Sequence, residues 1–513
     1  MDRPAGGPPG FEPEADAIPA FRRALDREGP VPTRARVAQG MGGLPDVFKD
    51  FAVRTFLLLY YNQVLGLPAF YVSLALAFAL VVDAVTDPLV GSLSDNFRSR
   101  WGRRHPFMYA AALPLGVCVY FLFAPPELAA GESRDALLLA WLLVFIVATR
   151  VAMTFFAIPW NAMFAEYSDD YRERSAIVSY RFLMAWLGGI VFSVSVYPWV
   201  FPGSAEYPLG QLNPAAYQTF AWVLALCVSG TALATAHFTR DQIPYLMQPT
   251  GAVERFRPAR LVADVKLALG NRDFVILLGA VLCSALVIGT VQALEIYVRT
   301  YFWGLDTSSL RWLSLSFCGA LLAFATIVPL QSRFDKKHLL VGCSVVLTVQ
   351  GMALIGLRLI DVLPPNGSTL LLVLLIIDAV LSVYLAMVAL TMFVSMIADT
   401  LDVQELATGR RQEGLFSSSV GFASKATSGF GLLAAGALLD GVIGFPAGAG
   451  ALGGPPLDGD VVLRLGVVAG LVVPLANVAW MVLALRYGVT RERHAEVRRE
   501  LDARHARERS RPN

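Results

Sequence analysis

Long apolar runs separated by short polar turns dominate this chain. Runs able to cross a hydrocarbon layer as helices need about 20 residues. They fall near 44–66, 68–94, 106–124, 135–165, 174–201 and 213–237, and again near 273–303, 308–331, 338–360, 369–399, 414–442 and 460–487. The pattern predicts twelve membrane-spanning helices. The longest polar interior stretch, Arg240–Arg272, falls between the sixth and seventh runs. This divides the chain into a six-helix half at 44–238, a connecting loop at 239–272 and a second six-helix half at 273–487. Residues 1–43 and 488–513 are polar ends. The first is rich in Pro, Gly and charge, lacks the apolar centre of a signal peptide, and reads as a flexible arm. The second carries eight arginines and two histidines within Arg491–Arg511, interleaved with Glu492, Glu496, Glu500, Asp502 and Glu508. It could form a surface helix touching anionic lipid, and reads rather as a solvated extension of alternating charge.

Composition supports the membrane reading. Of 513 residues 56% are hydrophobic and 16% charged, whereas soluble chains carry about a quarter charged residues. The formal net charge of +2 averages over two unlike faces. Arg98–Arg104, Arg172–Arg174, Arg255–Arg272, Arg333–Lys337, Arg410–Arg411 and the tail are basic, while Phe201–Asn213, Asp361–Ser368 and Gly444–Asp460 contain no Lys or Arg. Positive residues concentrate on the cytoplasmic side of membrane proteins, so both termini are expected there, in agreement with an even number of spans. Cys118, Cys227, Cys283, Cys318 and Cys343 all lie in apolar segments without metal-site spacing and read as packing residues. No glycine-rich Lys-Ser/Thr nucleotide loop is present, so ATP-driven transport by this chain, or an enzymatic role, is not expected, and neither is a cofactor.

The chemistry sits inside the apolar runs. Asp83 and Asp87 lie within the second. Four residues apart on a helix, they are about 40° apart around the axis and about 6 Å along it, and so share one face. An aspartate near a bilayer centre costs on the order of 3 kcal/mol. Two together require partners, water or a bound cation, so the pair could ligate a small hard cation, carry a proton or form structural ion pairs. Lys425, a lone amine among Ser424, Thr427 and Ser428, poses the same demand in reverse. Arg54 follows Asp50 by one turn and could neutralise it, and Glu295 and Arg299 have the spacing of an intrahelical pair. Arg54 and Arg150 could instead hold an anionic group, given the affinity of guanidinium for planar anions. The turn that follows the aspartate pair carries Asp95, Arg98, Arg100, Arg103 and Arg104. It could clamp two helices and break as the halves rock, which makes it a gate candidate. Gly188, Gly189, Gly429, Gly431 and Gly436 read as close-packing positions.

Asp83-Ala84-Val85-Thr86-Asp87-Pro88 followed by Arg98-Ser99-Arg100-Trp101-Gly102-Arg103 resembles the helix-two signature of the glycoside-pentoside-hexuronide cation symporters. These form the melibiose-carrier-like branch of the major facilitator superfamily. Phe48-Lys49-Asp50-Phe51-Ala52 resembles the family's helix-one entry. Ile158-Pro159, Asp169, Arg172-Glu173-Arg174 and Tyr180-Arg181-Phe182 resemble its helix-four to helix-five corner. Ala398-Asp399, Asp402, Glu405, Arg411, Glu413-Gly414 and Lys425 resemble its helix-ten to helix-eleven region. The resemblance extends from about Gly43 to Tyr487 and implies an all-α major facilitator fold. Its implied function is symport of a sugar, glycoside or related polar solute, coupled to sodium or protons, across the cytoplasmic membrane.

Carried over position by position, it implies Asp83, Asp87, Thr154 and Lys425 at the cation site, with Asp83 and Asp87 as sodium ligands if sodium is the ion. It implies Lys49, Asp50 and Arg181, with Trp160 and Asn161, at the solute site, and Arg411 and Glu413 beside the basic turn at the gate. The chain departs from the prototype where a helix-four aspartate is replaced by Ala157, and the aromatic expected one turn later is Asn161. That removes one acid from both sites. Two alternatives remain at this point: a lysolipid or other amphiphile carrier, which Phe155, Phe156 and Trp160 would suit, and a non-transporting membrane scaffold or sensor. The partners expected are a small solute and membrane lipid, with no nucleic acid and no obligatory protein.

Overall fold

The computed structural model of the chain describes residues 21–23, 25, 27, 29–127, 131, 133–168, 170–249, 272–408, 425 and 427–509. Arg411, Glu413 and Asp169 lie outside the described residues, as does 250–271 of the central connection.

A backbone in hydrocarbon has no water to bond and must satisfy its own N–H and C=O groups, so the apolar runs become helices. Ten helices among the described residues are long and apolar enough to cross a membrane. In the first half they are α3 (Ala69–Asn96), α4 (His105–Phe123), α5 (Arg134–Met163), α6 (Tyr171–Val200) and α7 (Pro214–Phe238). In the second they are α8 (Arg272–Phe302), α9 (Thr307–Arg333), α10 (Lys336–Leu359), α11 (Thr369–Thr408) and α13 (Gly459–Leu485). Two further segments complete the expected twelve. The shorter α12 spans Thr427–Ile443, and α2 is continuous helix over 44–64 that carries Asp46, Lys49, Asp50 and Arg54. It contains two π-helical stretches, Val53–Leu57 and Tyr60–Val64, a local unwinding often found at functional positions.

Helix starts follow local chemistry. Asp170 accepts from the backbone N–H groups of Arg172 and Glu173 at 2.6 and 3.2 Å and so caps α6. Asn213, Asp306, Asp335 and Asp458 cap α7, α9, α10 and α13 in the same way, each satisfying a backbone donor the helix cannot. Within the first half α4 packs between α5 and α7, and α3 packs on α5; in the second, α11 packs on α9 and α10. The outer faces are apolar. Phe182, Leu183, Leu187 and Val191 of α6 are exposed, an arrangement suited to lipid contact rather than to water. All five cysteines are free.

Two features are more ordered than the sequence suggests. Within the expected arm, Thr33–Met41 forms α1, which packs against α6, and Phe21–Arg23 pairs antiparallel with Met247–Pro249. In the tail, Arg491–Arg509 is helical (α14) and packs on α11 through His494, which lies 3.0 Å from Asp402, and Arg498, 3.3 Å from the same carboxylate. It is therefore docked rather than a free extension over that stretch.

Close approach decides the glycines. A Cβ on Gly431 of α12 would sit 2.3 Å from the Leu286 carbonyl oxygen of α8, and one on Gly289 would sit 2.7 Å from that of Ser428. The Thr290 hydroxyl seals this crossing by donating to the Gly431 carbonyl at 2.9 Å. Gly431→Ala is therefore expected to lower the melting temperature of the purified protein, despite the gain of up to about 1 kcal/mol in helix propensity. Gly342→Ala, where nothing lies within 4 Å, should leave it unchanged or raise it. Equal melting temperatures for the two variants would show that the α8–α12 crossing relaxes without cost.

Candidate functional site

Both halves line a cavity of about 500 Å³. From the first half come residues of α2, α3 and α5, and from the second Ile288, Gly289, Gln292 and Ala293 of α8 with Lys425, Ser428 and Leu432. Its lining includes Asp46, Asp50, Asp83 and Asp87 opposite Lys49, Arg54, Arg150 and Lys425, so the charges balance among the described residues.

One wall is built on the aspartate pair. Their shared face on α3 turns toward Lys425, whose Nζ lies 2.5 Å from Asp87 Oδ2 and 3.1 Å from Asp83 Oδ2. Thr154 of α5 stands on the other side, its Oγ1 3.0 Å from Asp83 Oδ1 and 3.1 Å from Asp87 Oδ1. A hydroxyl has one proton to donate, so Thr154 serves one carboxylate at a time. Arg150 Nη1 is 3.8 Å from Asp83 Oδ2. Three groups from two separate parts of the chain thus converge on two carboxylates, and Lys425 supplies positive charge from the opposite half. The oxygens of Asp83, Asp87 and Thr154 form a donor set suited to a small hard cation, at the place where the Lys425 ammonium sits.

The second wall is on α2. Lys49 is buried, with Nζ 2.7 Å from Asp46 Oδ1 and 3.0 Å from Asp50 Oδ1. Arg54 Nη2 is 3.1 Å from Asp50 Oδ2, and its Nη1 donates to Gln292 Oε1 of α8 at 3.1 Å. Asp50 is thus paired on both oxygens. A carboxylate still offers about four lone-pair positions, so it retains capacity for two hydroxyl donors from the cavity.

Asn161 and Ala157 also line the cavity. Arg181 donates to Asn161 Oδ1, and its guanidinium lies 4.1 Å over the Trp160 ring, a cation–π contact. It reaches the cavity wall through Asn161. Trp160 itself is buried and turned away: its indole N–H donates to Gln39 O at 2.8 Å, and Gln39 Nε2 donates back to Trp160 O at 3.0 Å. It fastens α1 to α5 and is not among the lining residues. The expected Glu295–Arg299 intrahelical pair is present.

The basic turn carries Asp95–arginine pairs, and Glu166 joins them within one half. Arg104 Nη1 is 2.8 Å and Arg103 Nη1 3.5 Å from Asp95 Oδ1, and both guanidinium groups meet Glu166 Oε1, at 3.1 and 2.6 Å respectively. Met247 N donates to Glu166 Oε2 at 3.1 Å. Burial pulls the Arg103 guanidinium below its ordinary pKa, and Glu166 beside it pushes the other way. These bonds join the ends of α3 and α5 to the chain leaving α7, all on the first-half side of the cavity. Arg100 packs on Trp101 at 5.7 Å, and Arg98 is engaged in a further interaction.

Sequence reasoning missed the contacts that do bridge the halves at the opposite end. Tyr297 OH donates to Asn62 Oδ1 at 2.9 Å and Tyr301 OH to Gln63 Oε1 at 3.0 Å. Gly448 N donates to Asn62 O at 2.8 Å, and Gln63 Nε2 to Pro446 O at 3.2 Å. The Asp440 carboxylate of α12 accepts from Ala69 N and Phe70 N at the start of α3, at 3.1 and 2.8 Å, a favourable place for a negative charge. The available signal was the adjacent amides Asn62-Gln63 closing an apolar helix, with tyrosines at the matching end of α8.

The chain matches the family described as MFS/sugar transport protein over residues 38–491. An uncharacterised symporter of Synechocystis sp. is 25% identical over 547 aligned positions, covering 91% of this chain and 96% of that one. An isoprimeverose transporter of Lactiplantibacillus pentosus is 24% identical, covering 83% of this chain and 84% of the relative. Among solved structures, a bacterial homologue of the human lysosomal transporter Spinster superposes with a TM-score of 0.62 at 14% identity, over 90% of this chain and 98% of that one, a likeness of fold. The helices, the two halves around a charged cavity and the match along nearly the whole chain agree: this is a multi-pass membrane protein that belongs to the MFS/sugar transport protein family.

Proposed function

We propose that the chain couples the entry of a polar, hydroxyl-rich solute, a sugar or glycoside, to a cation that binds at Asp83 and Asp87. The observation that carries this reading is one cavity holding both a cation-type donor set, Asp83, Asp87 and Thr154, and a hydrogen-bonding wall, Lys49, Asp50, Arg54 and Asn161. Its volume of about 500 Å³ is in the range of sites for small organic ligands. The charge around the cavity disfavours a lipid tail, and a scaffold would have no use for charges that cost so much to keep in a bilayer.

The cycle begins with Lys425 paired to the two carboxylates across the halves. A cation, sodium or a proton, takes over its charge-balancing role at Asp83 and Asp87. Lys425 is then free to move with the second half, and the solute bonds to the first-half wall through Asp50 and its neighbours. Rocking of the halves opens the Asn62–Gln63–Tyr297–Tyr301 seal on one side and closes the other. The basic loops support a cytoplasmic position for the Asp95–Arg104 end, with the protein in the inner membrane.

Four outcomes test this. In proteoliposomes with an imposed sodium or pH gradient, Asp87→Asn is expected to abolish accumulation of a transported sugar while leaving exchange. Lys425→Gln should raise apparent cation affinity about tenfold, some 1.4 kcal/mol, because a tethered competitor is gone. Wild-type accumulation in Asp87→Asn together with unchanged cation affinity in Lys425→Gln would exclude coupling at this pair. Asp50→Asn is expected to weaken solute binding by about tenfold or more, measured by calorimetry; intact affinity would leave Asp50 as the partner of Lys49 and Arg54 alone. Finally, Tyr297→Phe with Tyr301→Phe should speed maleimide labelling of Leu58→Cys, in a background freed of native cysteines, from the side of the Gly444–Asp460 loop. Unaltered labelling would mean that these tyrosines do not hold that end shut.

A further inference from the structure

The second half contains an intramembrane acid whose surroundings differ from those of the acids that line the cavity. Asp378 lies well inside α11, part of an apolar span of the second half. Asp83, Asp87 and Asp50 each meet a lysine or arginine, whereas Asp378 has no ion pair among the described residues. Its side-chain partner is a neutral amide, Gln350 of α10, whose Nε2 lies 3.1 Å from Asp378 Oδ1. The same nitrogen faces Asp378 O at 3.1 Å and Ser382 Oγ at 2.8 Å. Three acceptors therefore compete for two N–H hydrogens. Gln350 Oε1 is buried and has no hydrogen-bond partner among the described residues. The cluster is short of donors and holds a formal charge that nothing beside it balances. The charged group whose field reaches Asp378 is Arg299 of α8, and that guanidinium is paired with Glu295.

We propose that Asp378 is a proton-binding site, distinct from the Asp83–Asp87 pair, at which the carboxyl is held as the neutral acid. One proton, taken from water, supplies the donor the cluster lacks and removes the unbalanced charge. A carboxylate inside an apolar membrane span and without a cation partner is cheaper to hold neutral than ionised, whereas the pair on α3 has that partner in Lys425. The two acid sites thus divide by environment. The pair on α3 is paired with Lys425, and Asp378 on α11 is protonated and amide-paired.

The test is infrared difference spectroscopy of the full chain in lipid nanodiscs, read in the carboxylic C=O stretching region at neutral pH without solute. Wild type minus Asp378→Asn should give a protonated-carboxyl band, absent from wild type minus Asp87→Asn. Gln350→Leu keeps the acid and removes its amide partner, so the band should move to higher frequency. It serves as the second variant should Asp378→Asn fail to fold. Absence of the band from the Asp378→Asn difference, or an unshifted band in Gln350→Leu, would overturn the proposal. No solute or gradient enters the measurement, so its failure is distinguishable from failure of the symport reading.

Discussion

Lys425 lies 2.5 Å from Asp87 and 3.1 Å from Asp83, and the rest of the cavity can be understood from what that contact requires. A charge near the centre of a bilayer is tolerated only with a partner or with water. Two carboxylates on one face of α3 need positive charge, and the second half provides it across the cavity. The contact therefore fixes the halves relative to one another and also makes their separation depend on what else can balance the pair. In the proposed cycle an arriving cation would change the electrostatics of the boundary between the halves without any new contact being needed elsewhere.

The same demand is met differently around the cavity. On α2, Asp46 and Asp50 hold Lys49, and Arg54 closes the second oxygen of Asp50 while reaching Gln292 of α8. Pairing within one helix leaves this wall charge-neutral as the halves move, which suits a surface that must hold a solute in both orientations. At the basic turn the pairs Asp95–Arg104 and Arg103–Glu166 are buried or partly so and join elements of a single half. Buried ion pairs are costly to break, so this cluster stiffens the first half as a body. The boundary between the halves at the other end is made of neutral groups, Asn62, Gln63, Tyr297 and Tyr301, whose exchange of partners for water costs far less. Rigid halves and an inexpensive seal are together what alternating access needs.

Much of the fold was legible because the bilayer imposes a length scale. Runs of about 20 apolar residues read as spans, and the aspartates and asparagine that cap α6, α7, α10 and α13 stand at the expected starts. The cluster around Asp83 and Asp87 was legible in part. Asp83 and Asp87 share a face by helical geometry alone, and the family resemblance pointed to Thr154 and Lys425. Residues 33–41 and 491–509 were misjudged as an arm and an extension because polar composition says nothing of docking. Thr33–Met41 is held by Gln39 on Trp160, and the tail helix by His494 and Arg498 on Asp402.

The sequence by itself determined what periodicity and local charge can determine: the spans, their division into halves, the uneven distribution of basic loops and the common face of Asp83 and Asp87. Only the tertiary structure decided which charges meet. Lys425 and Asp83 are 342 positions apart, and Glu166 reaches Arg103 across 63; nothing local distinguishes these partners from other acids and bases. It turned Trp160 away from the cavity, kept the Asp95 clamp on one side of it and put the seal on Tyr297 and Tyr301. The physical reason is that helical periodicity is a property of neighbouring residues, whereas the balance of a buried charge is set by whatever packing brings within a few ångströms.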